Sequence, residues 1–192
     1  FARNTYPLGV ARSVKTPVHL VGWGFERQQA AQAAMVDAAP AGDAAWVGAN
    51  GLAAPVRVLL GHLPGHRETE PNDSAETALR IAWPSAVHGR IGEADDEDRF
   101  GIVTAKGDRL RLRLRASEFN SALDPVLRVE DTSGKQLARD DDSGERQDAK
   151  LDWTAPADGT YHLAVSDLIR SGGSAHFYRL EIDRVTPSLN AT

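Results

Sequence analysis

"DRLRLRLRA", residues 108–116, decides the fold class of this chain. Leu110, Leu112 and Leu114 alternate without a break with Arg109, Arg111, Arg113 and Arg115. Successive side chains of a strand point to opposite faces, so one row faces a core and the other faces water. Comparable short runs surround it: "DRFGIVT" (98–104), "PVLRVED" (125–131), "KQLARD" (135–140), "AKLDWTA" (149–155), "GTYHLAVSD" (159–167) and "AHFYRLEID" (175–183). "KGD", "TSGK", "PADGT" and "RSGGS" supply turns between them. Many short strands at regular spacing, with no long helix, predict an all-β, jelly-roll-like sandwich. Its expected core is Phe100, Ile102, Leu127, Val129, Leu151, Trp153, Tyr161, Leu163, Val165, Tyr178, Leu180 and Ile182. His162 alternates with core residues and is expected at the surface.

Upstream, β-like runs occur at 17–25, 33–38, 44–48 and 54–64, punctuated by Gly, Pro and Asp. "RQQAAQAAM" (27–35) has helix-forming alanines but no apolar stripe, and we read it as loop and strand. Pro64, Gly65 and Pro71 surround a change in charge. Residues 1–66 hold five Lys/Arg and three Asp/Glu, a balance of +2; the remaining 17 and 24 give −7. The expected organisation is therefore a β-sandwich module at 1–66, a second sandwich at 67–185 and a tail at 186–192.

The acidic second half argues against nucleic-acid partners, which need a basic footprint, and is compatible with hard cations. No cysteine is present, which removes disulfides, zinc–thiolate sites and cysteine nucleophiles. No apolar run approaches the roughly 20 residues that span a bilayer, so membrane insertion is not expected. The opening "FARNTYPLGV" does not read as a signal peptide, and the chain is expected to be a piece of a longer polypeptide.

Three acidic stretches are candidates for chemistry. In "RETEPNDSAETA" (67–78), Pro71 biases Glu70 towards extended backbone, so Glu68 and Glu70 point the same way. Asn72 and Asp73 add oxygen atoms, and Ca²⁺ takes about 6–8 oxygen ligands. The same stretch also fits a solvated linker, or a capping box from Asp73 to Glu76 opening a short helix "SAETALR". "GEADDEDRF" (92–100) places Asp95, Asp96, Glu97 and Asp98 in a row, a cost unless solvated or neutralised. "ARDDDSGERQD" (138–148), with Asp124 a possible neighbour, reads equally as an acidic turn or a calcium loop, but lacks the EF-hand order.

In order, "ETEPNDSAETA", "GRIGEADDEDRFGI", "LDPVLRVEDTSGKQLARDDD" and "DAKLDWTAPADGTYHLAVSD" resemble the bacterial pre-peptidase C-terminal domain, the group that includes the collagen-binding domains of clostridial collagenases. The resemblance covers about residues 67–184. It implies an eight-stranded jelly-roll-like sandwich on secreted proteins, with calcium in some members where the linker meets the sandwich. Residue by residue it points to Glu68, Glu70, Asn72 and Asp73, and to Asp95 or Asp96 with Asp98. "YPLGVARSVKTPVHLVGWGF" and "ANGLAAPVRVLLGHLP" look like the opening and closing strands of an Ig-like (IPT/TIG-type) module, an arrangement found in planctomycete-type secreted proteins.

Enzymatic signatures are lacking. His62 and His66 in "GHLPGH" are separated by Pro-Gly, which disfavours a helical zinc pair, and no third ligand is evident. No G-x-S-x-G elbow, P-loop or dinucleotide fingerprint is present. The expectation is a non-catalytic, calcium-binding accessory domain of a secreted, periplasmic or cell-surface protein, with other domains attached. The alternative is a carbohydrate- or protein-binding module using Arg109, Arg111, Arg113, Arg115, Trp23 and Trp46.

Overall fold

A computed structural model describes residues 2–12, 16–22, 34–36, 43–47 and 55–185. The chain divides into two compact units, Phe1–Arg67 and Glu68–Thr192. The first contains β1 (Ala2–Tyr6), β2 (Gly9–Ala11), β3 (Thr16–Gly22), β4 (Ala34–Val36), β5 (Ala44–Val47), β6 (Val56–Gly61) and β7 (Gly65–Arg67). Two three-stranded sheets, β1–β3–β4 and β2–β6–β5, form from these strands. Val10, Val18, Leu20, Val47, Val58 and Leu60 are among its buried residues. Trp23 and residues 27–33 lie outside the described residues.

The second unit holds β8 (Leu79–Arg80), β9 (Ser85–Arg90), β10 (Glu97–Thr104), β11 (Arg109–Arg115), β12 (Pro125–Glu130), β13 (Gln136–Asp140), β14 (Lys150–Thr154), β15 (Gly159–Asp167) and β16 (Phe177–Arg184). One sheet runs β13–β12–β15–β10–β8, and the other contains β14–β11–β16–β9. Neighbours are antiparallel except β8, which lies parallel to β10 with Leu79 opposite Phe100. The core between the sheets is the one the alternation predicts. Leu110, Leu112 and Leu114 are fully buried with Phe100, Ile102, Leu127, Val129, Leu163, Val165, Tyr178, Leu180 and Ile182. Leu151 is half-buried at its edge. Trp153 and Tyr161 meet edge to face with centroids 4.8 Å apart.

Two expectations are corrected here. Three of the four arginines of β11 are paired with acids rather than open to solvent; Asp152 and Asp183 stand opposite Arg111, and Glu181 opposite Arg113. Arg111 donates twice to Asp152 (2.8 and 2.6 Å), and Arg113 and Arg115 both reach Glu181 (3.1 and 3.2 Å). His162, expected at the surface, is buried. It stands opposite Gly101, which has no side chain to displace it, and its Cδ2 lies 3.7 Å from where a Gly101 Cβ would stand.

Candidate metal centre

The chain enters the second unit along the edge of β9. The Glu68 N–H donates to the His88 carbonyl (3.0 Å), and the Arg90 N–H donates to Glu68 Oε1 (2.7 Å). The Glu70–Pro71 bond is cis. Glu70 then turns back, its Oε2 accepting the Asn72 N–H (3.1 Å). The Asn72 carbonyl accepts the Arg99 N–H (2.9 Å), which docks the segment on β10.

Asp98 comes from β10 and is fully buried. The Tyr178 hydroxyl, from β16, donates to Asp98 Oδ2 and lies 3.4 Å from Glu68 Oε2. Gly89 faces Tyr178 across β9 and β16. A Cβ at Gly89 would stand 2.4 Å from Glu68 Oε2 and from the Tyr178 ring and hydroxyl, closer than atoms approach. Glycine is therefore what lets a carboxylate and a phenol meet here.

One carboxylate oxygen from each of Glu68, Glu70 and Asp98 lies within 4.8 Å of the others, the one such group of three among the described residues. Buried donors and acceptors normally find partners. Asp98 Oδ1 and both amide atoms of the fully buried Asn72 have none. Burial raises the Glu68 pKa to about 7, despite hydrogen bonds that favour its charged form. Asp98 is raised further by burial and by the charge of Glu68. Glu70 is raised by burial and by Asp96. Carboxylates held this way accept protons or a cation. All-oxygen donors suit a hard divalent ion such as Ca²⁺.

The other sequence candidates separate. Asp96 stays with the centre; it accepts the Gly92 N–H and its charge raises both Glu70 and Asp98. Asp95 turns away, with φ of 65° and its Oδ1 3.5 Å from Arg170 Nη1. Asp73 is exposed and contributes its carbonyl to Arg99. No helix follows. Residues 75–77 form a turn, closed by Ser74 and Thr77 rather than by Asp73 and Glu76 (Ser74 N–H to Thr77 Oγ1, 3.0 Å; Thr77 N–H to Ser74 Oγ, 3.3 Å).

In the third acidic stretch, Asp140 and Asp148 take protein donors. Asp140 accepts the N–H groups of Ser143 (3.1 Å) and Lys150 (2.8 Å), and Asp148 takes the Ser117 N–H and hydroxyl (both 3.0 Å). A cavity of about 410 Å³ opens on the outer face of the β10–β12–β13–β15 sheet, its lining mixed in charge: Arg99, Arg128, Arg139 and Arg170 alternate with acids that include Asp96 and Glu97. Tyr178, Gly89 and Arg99 were not singled out by sequence. Tyr178 reads as an ordinary inward strand residue, and nothing in spacing signals its hydroxyl.

Comparison with known proteins adds context. No protein-family profile matches the chain. A probable subtilase-type serine protease of Deinococcus radiodurans is 34% identical over 110 residues, covering 54% of this chain and 15% of the protease. The chain thus corresponds to a small part of that protein's length. Among solved structures, the pre-peptidase C-terminal domain of a Bacillus anthracis collagenase is similar over 60% of this chain and 100% of that domain, at TM-score 0.46 and 15% identity. The Aeromonas hydrophila PliG, a periplasmic inhibitor of g-type lysozyme, is similar over 55% of this chain and 96% of the inhibitor, at TM-score 0.40 and 13% identity.

Proposed function

We propose that the second unit is a non-catalytic, calcium-binding accessory domain of a larger secreted or cell-surface protein, and that Ca²⁺ locks its entering segment to the sandwich. The observation that carries this is the convergence of Glu68, Glu70 and Asp98 beside unpartnered buried oxygens of Asn72 and Asp98. Glu68 and Glu70 come from the entering segment and Asp98 from β10, so one ion ties the two together. Asp96 completes the acidic set. Tyr178 holds Asp98 in place, and Gly89 keeps the space open. The likeness to part of a serine protease supports attachment to a catalytic domain elsewhere in the polypeptide.

Calorimetric titration of the EDTA-treated protein tests the reading. We expect saturable calcium binding that Glu70→Gln and Asp98→Asn each weaken by at least about tenfold, as loss of a charged ligand predicts. Titrations without heat or saturation at millimolar calcium would refute it.

A second reading is favoured by the cavity on the outer face of the β10–β12–β13–β15 sheet: this face takes a protein or polysaccharide ligand for the attached domain. Arg111, Arg113 and Arg115 carry less of that reading, since they are paired, whereas Trp46 in the first unit is exposed. Pull-down with cell-wall material and a glycan array test it.

A further inference from the structure

We propose that Arg99 is a positioning residue that holds the metal-bearing segment in place before any cation arrives; the affinity part of this inference rests on the calcium reading above. Arg99 sits on β10 between two inward residues, Asp98 and Phe100, so its own side chain lies on the outer face of the sheet. Its backbone N–H donates to the Asn72 carbonyl (2.9 Å), and its Nη1 donates to the Asp73 carbonyl. The remaining donors are occupied by carboxylates. Nη2 pairs with Glu97, and Nε lies 3.5 Å from Glu130 Oε2.

Arg128, two strands away on β12, spans the same two acids. Its Nε reaches Glu130 Oε1 at 3.0 Å, and its Nη2 pairs with Glu97. Two guanidiniums and two carboxylates form a neutral grid, and Glu130 within it is buried. The grid fixes the Arg99 fork, and the fork holds the main chain of the segment. A planar guanidinium donates in three directions at once; an ammonium on a flexible stem does not hold that geometry.

None of these contacts uses an oxygen of Glu68, Glu70 or Asp98. Arg99 therefore places the Asn72–Asp73 backbone without competing for the ion. That backbone in turn places Glu70, through the Asn72 N–H, and the buried Asn72 side chain. Ordering a segment in advance lowers the entropy lost when a ligand binds.

Hydrogen exchange on peptides spanning 68–78, read by mass spectrometry in EGTA, tests the idea in Arg99→Lys and Arg99→Met. Lysine keeps the charge and the ion pair with Glu97, so it carries the test if the methionine variant fails to fold. In both, exchange of this segment should accelerate about tenfold while peptides from β10, β15 and β16 stay protected. Saturating calcium should restore the protection. Apparent calcium affinity should fall about tenfold, the measure of lost pre-organisation. Unchanged exchange in Arg99→Lys without metal would overturn the proposal. Protection that stays lost at saturating calcium would overturn the affinity part, because the ion would then not order the segment that Arg99 holds. If the wild-type protein takes no calcium, the metal reading fails, and the metal-free exchange still decides the role of Arg99.

Discussion

At Asp98, one carboxylate oxygen takes the Tyr178 hydroxyl and the other meets no donor. Glu68 lies against the same hydroxyl, so a half-buried and a fully buried acid share one phenol. In the folded, metal-free protein the pKa values of Glu68, Glu70 and Asp98 are all raised, with burial the first cause in each. A raised folded pKa means that the folded state binds protons more tightly than the unfolded chain. That contribution is fully present below the unfolded carboxylate range and is lost as pH rises through the folded values. Metal-free stability should therefore decline from about pH 4.5 to neutrality and beyond. Calcium-induced stabilisation should grow over the same interval, as melting curves at pH 5 and pH 8 will check. Asp98→Asn keeps the acceptor for Tyr178 and removes a group that must take up a proton on folding at this pH. It should raise metal-free stability at pH 8 by on the order of 1 kcal/mol, while abolishing the calcium response in the same melts.

Between β9 and β16, a single missing side chain makes the centre possible. Gly89→Ala should displace Glu68 or Tyr178, because the new methyl group would stand 2.4 Å from both. Loss of calcium binding, with a stability cost of about 1–3 kcal/mol, is the expected result by titration and denaturant melt. On β11, Leu112 is fully buried between the sheets, and Leu112→Ala should cost about 2–5 kcal/mol in urea unfolding while sparing calcium binding. The difference between these positions tracks what was legible in the sequence. Leu110, Leu112 and Leu114 declare their face by period two, and the core they predict is the core observed. Glu68, Glu70 and Asp98 were legible as an acidic set, because extended backbone before Pro71 orients the first two. Asp95 and Asp96 could not be told apart by pattern alone; their different partners, Arg170 for the first and the Gly92 N–H for the second, come from the fold. The buried His162 and the neutralised arginine row depend on cross-strand partners, Gly101 and Glu181, more than 60 residues distant in sequence. Spacing within one strand carries no record of such partners.

At the scale of the molecule, the chain consists of two compact units that meet in sequence at Arg67 and Glu68. The proposed ion joins the first residues of the second unit to β10, so its effect belongs to that unit. A fragment comprising residues 68–185 should unfold in one transition and keep the calcium response of the whole chain. A response present in the whole chain but absent from the fragment would assign the ion to another place. The central claim is that calcium binds the folded second unit at Glu68, Glu70 and Asp98. Thermal unfolding in EGTA and in millimolar calcium, at pH 8, tests it most directly. An ion present at about 100 times its Kd adds about 2.7 kcal/mol, and the transition of the second unit should rise on the order of 10 °C. In Asp98→Asn that rise should disappear. Superimposable wild-type transitions in the two solutions would contradict the account.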